Sequence, residues 1–368
     1  MKKKAAHFLL IPELIHSPPN CAIINAYIQN GYVVDVFTPG STPEKTIYGD
    51  SIRVFRVEYS WIWILRNIIH TRWFSYALVS GTSEDPLGIV GLICTIYRTK
   101  GICLVDEIKS GSYRGDRSEL WKKICIRAIR NSNFSIVNDN SRIGLLRQYA
   151  GLGEHKEILV YPGCFYQRPE ISELKRVEYR KSWGFSNEDF IIGSSGGFNM
   201  TAGADWLLRY IKENDDVRSV IQPLGVTPLS MFLLRNLDYH KRIFIQNQRM
   251  DWNEAWESAQ GLDIGICIYM NQAPQFQNMG ISSNRLCMFL AMGVPVIASR
   301  QESFTFLETY ECGLLVEDYN DFESAVGYIK KNWADMRDNC GKCFEEYIRP
   351  SQRYRTLARR IGELRPQE

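Results

Sequence analysis

The stretch Gly280 to Glu317, GISSNRLCMFLAMGVPVIASRQESFTFLETYECGLLVE, decides how this 368-residue chain is read. Ser282, Ser283 and Asn284 are favourable N-cap residues, and the apolar-spaced run Arg285 to Met292 behind them predicts a helix. Free backbone N–H groups, hydroxyls, a helix dipole and the Arg285 guanidinium then converge on one point, which suits a diphosphate. Gly293-Val294-Pro295 ends that helix and enters a strand within two residues, so the anion-binding end is held against a sheet. The alternative is an ordinary capped helix with no anion.

Outward from this segment, short apolar runs alternate with longer amphipathic ones along the whole chain, the pattern of β-α units building parallel sheets. The fold class is therefore α/β. Expected strands in the first half are Ala6 to Ile11, Val33 to Thr38, Ile52 to Val57, Tyr76 to Ser80, Ile102 to Asp106, Phe134 to Val137 and Ile158 to Tyr161. In the second half they are Phe190 to Ser194, Ser219 to Pro223, Ile243 to Gln246, Asp263 to Ile268, Pro295 to Ala298 and Leu314 to Val316. The polar, proline-containing stretch between them predicts a two-domain division: 1–164, a linker over 165–180, and 181–346, with a last basic helix in 347–368 packing back on the first domain. Two open sheets of this kind, facing each other across a cleft, bind ligands at the carboxyl ends of their strands.

Composition narrows the function. The content, 45% hydrophobic and 23% charged, is globular. A net charge of +3 is too balanced for a protein that covers phosphate backbones, so a nucleic-acid partner is not expected. Ten scattered cysteines, several within apolar runs, indicate a reducing compartment rather than a disulfide framework. Cys340-Gly341-Lys342-Cys343 stands alone without a second pair or a histidine cluster and reads as incidental on a helix. The apolar run after Lys2 to Lys4 stops at Pro12, which predicts a first strand and not a signal peptide. With no run of about 20 apolar residues, the expected location is the cytoplasm.

The run S-S-N-R-L-x-x-F-L-A-M-G-V-P-V-I-A-S, followed by C-G-L-L-V-E and a helix, resembles the donor-binding half of GT-B glycosyltransferases, above all the retaining E-x7-E branch. The resemblance covers most of residues 190 to 331 and, in topology, the N-terminal half. It implies two Rossmann-like domains and transfer of a sugar from a nucleotide diphosphate sugar to a glycan or lipid-linked acceptor, in polysaccharide, lipopolysaccharide or other glycoconjugate synthesis. It also implies a donor on the C-terminal domain and neither a cofactor nor an obligatory metal. Aligning A-M-G-V-P-V with the family pattern puts the two glutamates at Gly280 and Met288, so both carboxylates are missing. Met288 cannot accept the ribose hydroxyls. The ribose is held otherwise, the branch is divergent, or no donor binds. The resemblance favours a retaining outcome and leaves inversion open.

Further donor candidates are Gly196, Gly197, Asn199 and Thr201, in the loop after the first strand of the second domain, where glycines permit close backbone approach. In the family this loop often supplies Arg or Lys to the diphosphate, and here it has neither; a plain tight turn is the other reading. Gln248 and Arg249 lie where the family reads the nucleobase, and Arg249 is a substitute phosphate cation.

In the first domain Glu13 and His16, Glu84, and Asp106, Glu107 and Lys109 follow strand ends. Asp106 and Glu107 are the candidate catalytic carboxylates, as a base if the reaction inverts or as orienting groups if it retains. A helix cap or a pairing with Lys109 is the structural alternative. Glu13, His16, Glu84 and Lys109 are acceptor-side candidates. The stretch 59–74, YSWIWILRNIIHTRWF, suits either a helix at an anionic membrane surface or one buried against the sheet. Two rival functions remain: a catalytically silent GT-B subunit supporting a partner, and a non-hydrolysing nucleotide-sugar epimerase, against which five histidines in the whole chain weigh.

Overall fold

In a computed structural model, residues 3–39, 48–58, 60, 66, 76–82, 84–106, 119–223, 240–246, 248, 250–271 and 273–364 are described. The chain divides into two compact units, 1–166 with 350–368, and 167–349. Among the described residues no helix is long and apolar enough to cross a membrane.

The first unit is built on a parallel sheet of seven strands: β1 (Lys4–Phe8), β2 (Val33–Thr38), β3 (Ile52–Arg56), β4 (Tyr76–Thr82), β5 (Lys100–Leu104), β6 (Phe134–Val137) and β7 (Ile158–Val160), in the order β3-β2-β1-β4-β5-β6-β7. Central strands covered on both faces are predominantly apolar, which is why they read as short apolar runs. Strand β6, Phe-Ser-Ile-Val, is buried throughout. Strand β1 ends at Phe8, earlier than the expected Ile11, because Pro12–His16 forms a 3-10 turn that starts the helix Pro18–Gln29. The helix Pro350–Glu363 buries Leu357, Ala358 and Ile361 in the same core, and Asn30 and Gln29 of the first helix meet its Ala358 carbonyl and Tyr354 hydroxyl, each at 2.9 Å.

A polar cluster centred on His7 sits deep in this unit. The His7 ring on β1 is fully buried, with Nε2 2.8 Å from Asn20 Oδ1 and Nδ1 2.7 Å from Ser80 Oγ on β4. Asn20 Nδ2 donates to Ser17, so its Oδ1 accepts from His7, and Ser80 donates to the other ring nitrogen. That pattern fits a neutral imidazole, and burial pushes its pKa down to about 4.

The second unit has a six-stranded parallel sheet: β8 (Phe190–Gly196), β9 (Val217–Pro223), β10 (Ile243–Ile245), β11 (Ile264–Cys267), β12 (Val296–Ser299) and β13 (Gly313–Val316), in the order β10-β9-β8-β11-β12-β13. Residues 165–180, expected as a linker, contain much of the helix Glu173–Ser182, and this helix is anchored in the second unit. Its anchors are polar. Arg176 and Arg180 both pair with the buried Asp263 carboxylate, which also accepts the Ile191 N–H at 2.7 Å. Arg180 adds bonds to the Gly261, Asn187 and Asp189 carbonyls, so no charge in the cluster is left bare. The C-x-x-C motif closes the helix Tyr319–Cys343.

The His7 contribution has a definite pH sign. The unfolded chain takes up a proton below pH 6.5 and the folded one only near pH 4, so the stabilisation is complete above pH 6.5 and is lost as pH falls toward 4. The loss should amount to about 3 kcal/mol. Denaturant unfolding between pH 7.5 and 4.5 should show this slope in the native chain and a flatter one in His7→Gln; equal slopes would refute the assignment.

Candidate functional site

In the second sheet the chain moves one way from β8 to β9 and β10, and the other way from β11 to β12 and β13. The strand order thus reverses between β8 and β11, and the carboxyl ends at such a point are where open α/β sheets bind ligands. Three segments of the chain meet there.

The first is the loop after β8. Gly196 has φ +88°, in the left-handed region that favours glycine, and turns the chain out of the strand. Phe198 tucks into the core, while Asn199 and Thr201 stay exposed and bond to each other, Thr201 Oγ1 donating to Asn199 Oδ1 at 2.8 Å. Thr201 also accepts the Met270 N–H through its carbonyl at 2.9 Å, joining this loop to the end of β11.

The second is the helix Asn284–Ala291. Ser283 caps it, its hydroxyl accepting the Leu286 N–H. The Asn284 and Arg285 N–H groups, in the first turn, lie beyond the reach of intrahelical bonding. Gly265 of β11 lets the helix lie directly on the sheet, because a Cβ there would fall 2.2 Å from the Phe289 ring.

The third is the chain from Tyr269 toward Ser283, held by side chains at and just after the end of β12. Ser299 receives the Tyr269 N–H, Gln301 Nε2 donates to the Phe276 carbonyl at 2.7 Å, and Ser303 receives the Gly280 N–H.

Arg285 ties the three together. Its Nε donates to the Tyr269 hydroxyl at 2.9 Å, Nη2 to the Ile268 carbonyl at 2.7 Å and Nη1 to the Ser195 carbonyl at 3.4 Å, with the guanidinium 4.3 Å from the Tyr269 ring centre. The Tyr269 hydroxyl lies 2.6 Å from the cap Ser283 Oγ. Burial pushes the Tyr269 phenol above its ordinary pKa, so the hydroxyl keeps its proton. Arg285 as a whole is only 9% exposed, and its guanidinium donors go to carbonyls and the phenol. The sequence pattern expects it at a diphosphate; its donors here go to the Tyr269 hydroxyl and to the Ile268 and Ser195 carbonyls, so it braces the helix end through acceptors that the sequence pattern cannot reveal. The helix end presents backbone N–H groups and its dipole, and the Arg285 charge beneath it meets only neutral acceptors among the described residues.

Ser282 and Ser283 are buried and Asn284 is partly exposed at the rim. Met288 is 3% exposed within the helix, and Gly280 is buried at φ +43°, so the two positions of the missing glutamates are filled by core. Gln248 is exposed, its carbonyl accepting Gln246 Nε2; Arg249 lies outside the described residues.

In the first unit Glu13 and His16 follow β1, Glu84 opens the helix after β4, and Asp106 follows β5, so adjacent strands bring them to one carboxyl edge. Asp106 is partly buried and held by two groups that sequence reasoning missed: Asn138 Nδ2 donates to its carboxylate at 3.1 Å, and Arg142 donates to its carbonyl. Asn138 sits just beyond β6, the next strand in the sheet, and the strand order is the signal that finds it. Glu107, Lys109 and nearly all of 59–74 lie outside the described residues.

No protein-family model and no curated protein matches the sequence. Solved structures do match. Sucrose-phosphate synthase from Thermosynechococcus elongatus is 14% identical with a TM-score of 0.75, over 98% of both chains. HepE from Anabaena, in complex with UDP-glucose, is 13% identical with a TM-score of 0.74, over 98% of this chain and 99% of that one. A glycosyltransferase from Rickettsia africae is 14% identical with a TM-score of 0.73, over 99% and 98%. The chain has the GT-B fold: two Rossmann-like parallel-sheet units.

The packing of Phe289 on Gly265 carries a prediction. Gly265→Ala should lift the helix Asn284–Ala291 from β11 and cost about 1–3 kcal/mol. Thermal unfolding of the variant checks this, and an unchanged melting temperature would refute the close seating.

Proposed function

We propose that the protein is a glycosyltransferase, moving a sugar from a nucleotide diphosphate sugar to a glycan or lipid-linked acceptor. The observation that carries this reading is the braced, capped helix end at the strand-order reversal, where unpaired N–H groups and a helix dipole offer a diphosphate a fixed positive seat. That HepE is seen with UDP-glucose on the same fold supports it. The reading assigns the leaving diphosphate to the Asn284 and Arg285 N–H groups and to the backbone of Gly196 and Gly197, with Asn199 and Thr201 at its edge. Gln248 and Arg249 fall on the nucleobase side.

In this reading the acceptor belongs to the carboxyl edge of the first sheet, with Glu13, His16, Glu84, Glu107 and Lys109 around it. Asp106 takes the acceptor proton if the reaction inverts, and orients hydroxyls if it retains; Asn138 fixes its carboxylate either way. The buried Met288 and Gly280 leave the ribose without a carboxylate partner at those positions, so the ribose relies on other groups. The same two residues favour a second reading, a catalytically silent subunit with this fold. Synthesis of a cell-surface glycan at the cytoplasmic face, with 59–74 against an anionic membrane, completes the proposal.

A thermal-shift panel of UDP, GDP, ADP, TDP and CMP with their common sugar conjugates tests it. A nucleotide at 100 times its dissociation constant stabilises by about 2.7 kcal/mol, and one responder is expected. No response from any would transfer the assignment to the silent subunit. With that donor, Asp106→Asn should keep donor affinity and lose turnover by about 10²–10⁴-fold; full turnover would remove Asp106 from catalysis.

A further inference from the structure

We propose that the second unit holds another ligand site, for a small phosphorylated polyol, at the far end of the helix whose N-terminus forms the diphosphate seat. Eight helical residues separate the two ends, about 12 Å. A cavity of about 530 Å³ opens there, lined by Arg168, Ile171, Gly293, Trp333, Arg337 and Gly341, with Ala334 and Asp338 on the same face of the helix Tyr319–Cys343. Its volume is that of a small-molecule site and far exceeds a single oxyanion.

The chemistry of the ligand follows from the lining. Arg168 is half-buried and held in place: its Nε donates to the Ala291 carbonyl, and its guanidinium lies 6.0 Å from the Phe344 ring centre. Its terminal nitrogens meet no acceptor among the described residues, leaving a guanidinium edge free for a planar pair of oxygens. Burial works against its charge, and a bound anion would offset that. Among the described residues Arg337 forms an ion pair with Glu173 alone, a carboxylate 67% exposed, so this bond is weak and exchangeable, and its guanidinium lies 5.0 Å from the Trp333 ring centre.

Both cations depend on missing side chains. A Cβ on Gly341 would come 3.2 Å from Arg168 Nη1, and one on Gly293 would come 3.3 Å from Arg337 Cγ. Two arginines lining one cavity suit a phosphate monoester, which carries about −1.5 to −2. Asp338 is exposed and has no ion pair among the described residues. It repels a second anionic group and accepts hydroxyls, so the remainder of the ligand is a neutral polyol. Ile171 and Ala334 supply the apolar edge.

Calorimetric titration of the full chain with glycerol 3-phosphate and with glucose 6-phosphate tests the proposal, with glycerol and glucose as uncharged controls. At least one phosphate should bind with unit stoichiometry, and the controls should be silent. Ala334→Glu puts a carboxylate at the exposed rim without touching the core, and it should weaken binding at least tenfold at an unchanged melting temperature. Arg168→Gln should weaken binding as much by removing the fork, with some loss of melting temperature because the bond to the Ala291 carbonyl goes with it. Asn284→Asp places a negative charge at the diphosphate seat and should leave the affinity unchanged. Silence of both phosphates, or binding that survives Ala334→Glu, would overturn the site. A tenfold loss in Asn284→Asp would assign the binding to the seat and would overturn it equally.

Discussion

The Arg285 guanidinium is the constraint on which the second unit's site depends. At the strand-order reversal β8 and β11 pair through Ile192 and Gly193 with Ile264 and Gly265, and the carbonyls of Ser195 and Ile268 lie beyond that pairing. One planar cation satisfies both and reaches the Tyr269 hydroxyl, which in turn touches the helix cap. A guanidinium suits this task because its donors spread in a fixed fork, and a lysine could not span the same acceptors. The helix end is therefore placed by the strands and not only by its own packing. A preorganised seat of this kind gives up little entropy when a ligand arrives.

Most of the architecture was legible because parallel strands buried on both faces are predominantly apolar, with only single polar residues such as Asp35 and Ser135 within them. Runs such as Val33 to Thr38 and Phe134 to Val137 coincide with β2 and β6. The helix Glu173–Ser182 escaped the reading, since its Leu174 and Val177 are exposed and its hold on the unit is ionic, through Arg176 and Arg180 to Asp263. An apolar pattern cannot report a helix anchored by charges. The end of β1 was misplaced for a related reason: Leu9 to Ile11 continue the apolar run, while Pro12 already starts a turn.

The site was legible in part. Caps and glycines have a local signature, so the Ser283 cap and the turn at Gly196 could be read from the sequence. Contacts between neighbouring strands could not. His7, Asn20 and Ser80 meet only because β1, its following helix and β4 are neighbours, and Asn138 reaches Asp106 only because β5 and β6 are. Arg285 has the composition of a ligand contact and the position of a brace. A sequence pattern fixes where a helix starts but not which way a long cation folds back, and the nearest unsatisfied carbonyls decided that here.

The central claim is that the loop after β8 and the first turn of the helix Asn284–Ala291 together receive a nucleotide diphosphate. Amide hydrogen exchange of the full chain, with and without saturating nucleotide sugar, tests this most directly. The account predicts slower exchange at the amides of 196–203 and 283–286 in the same titration, with the nucleotide's own affinity. Unchanged exchange in both segments, alongside protection elsewhere in the chain, would contradict it.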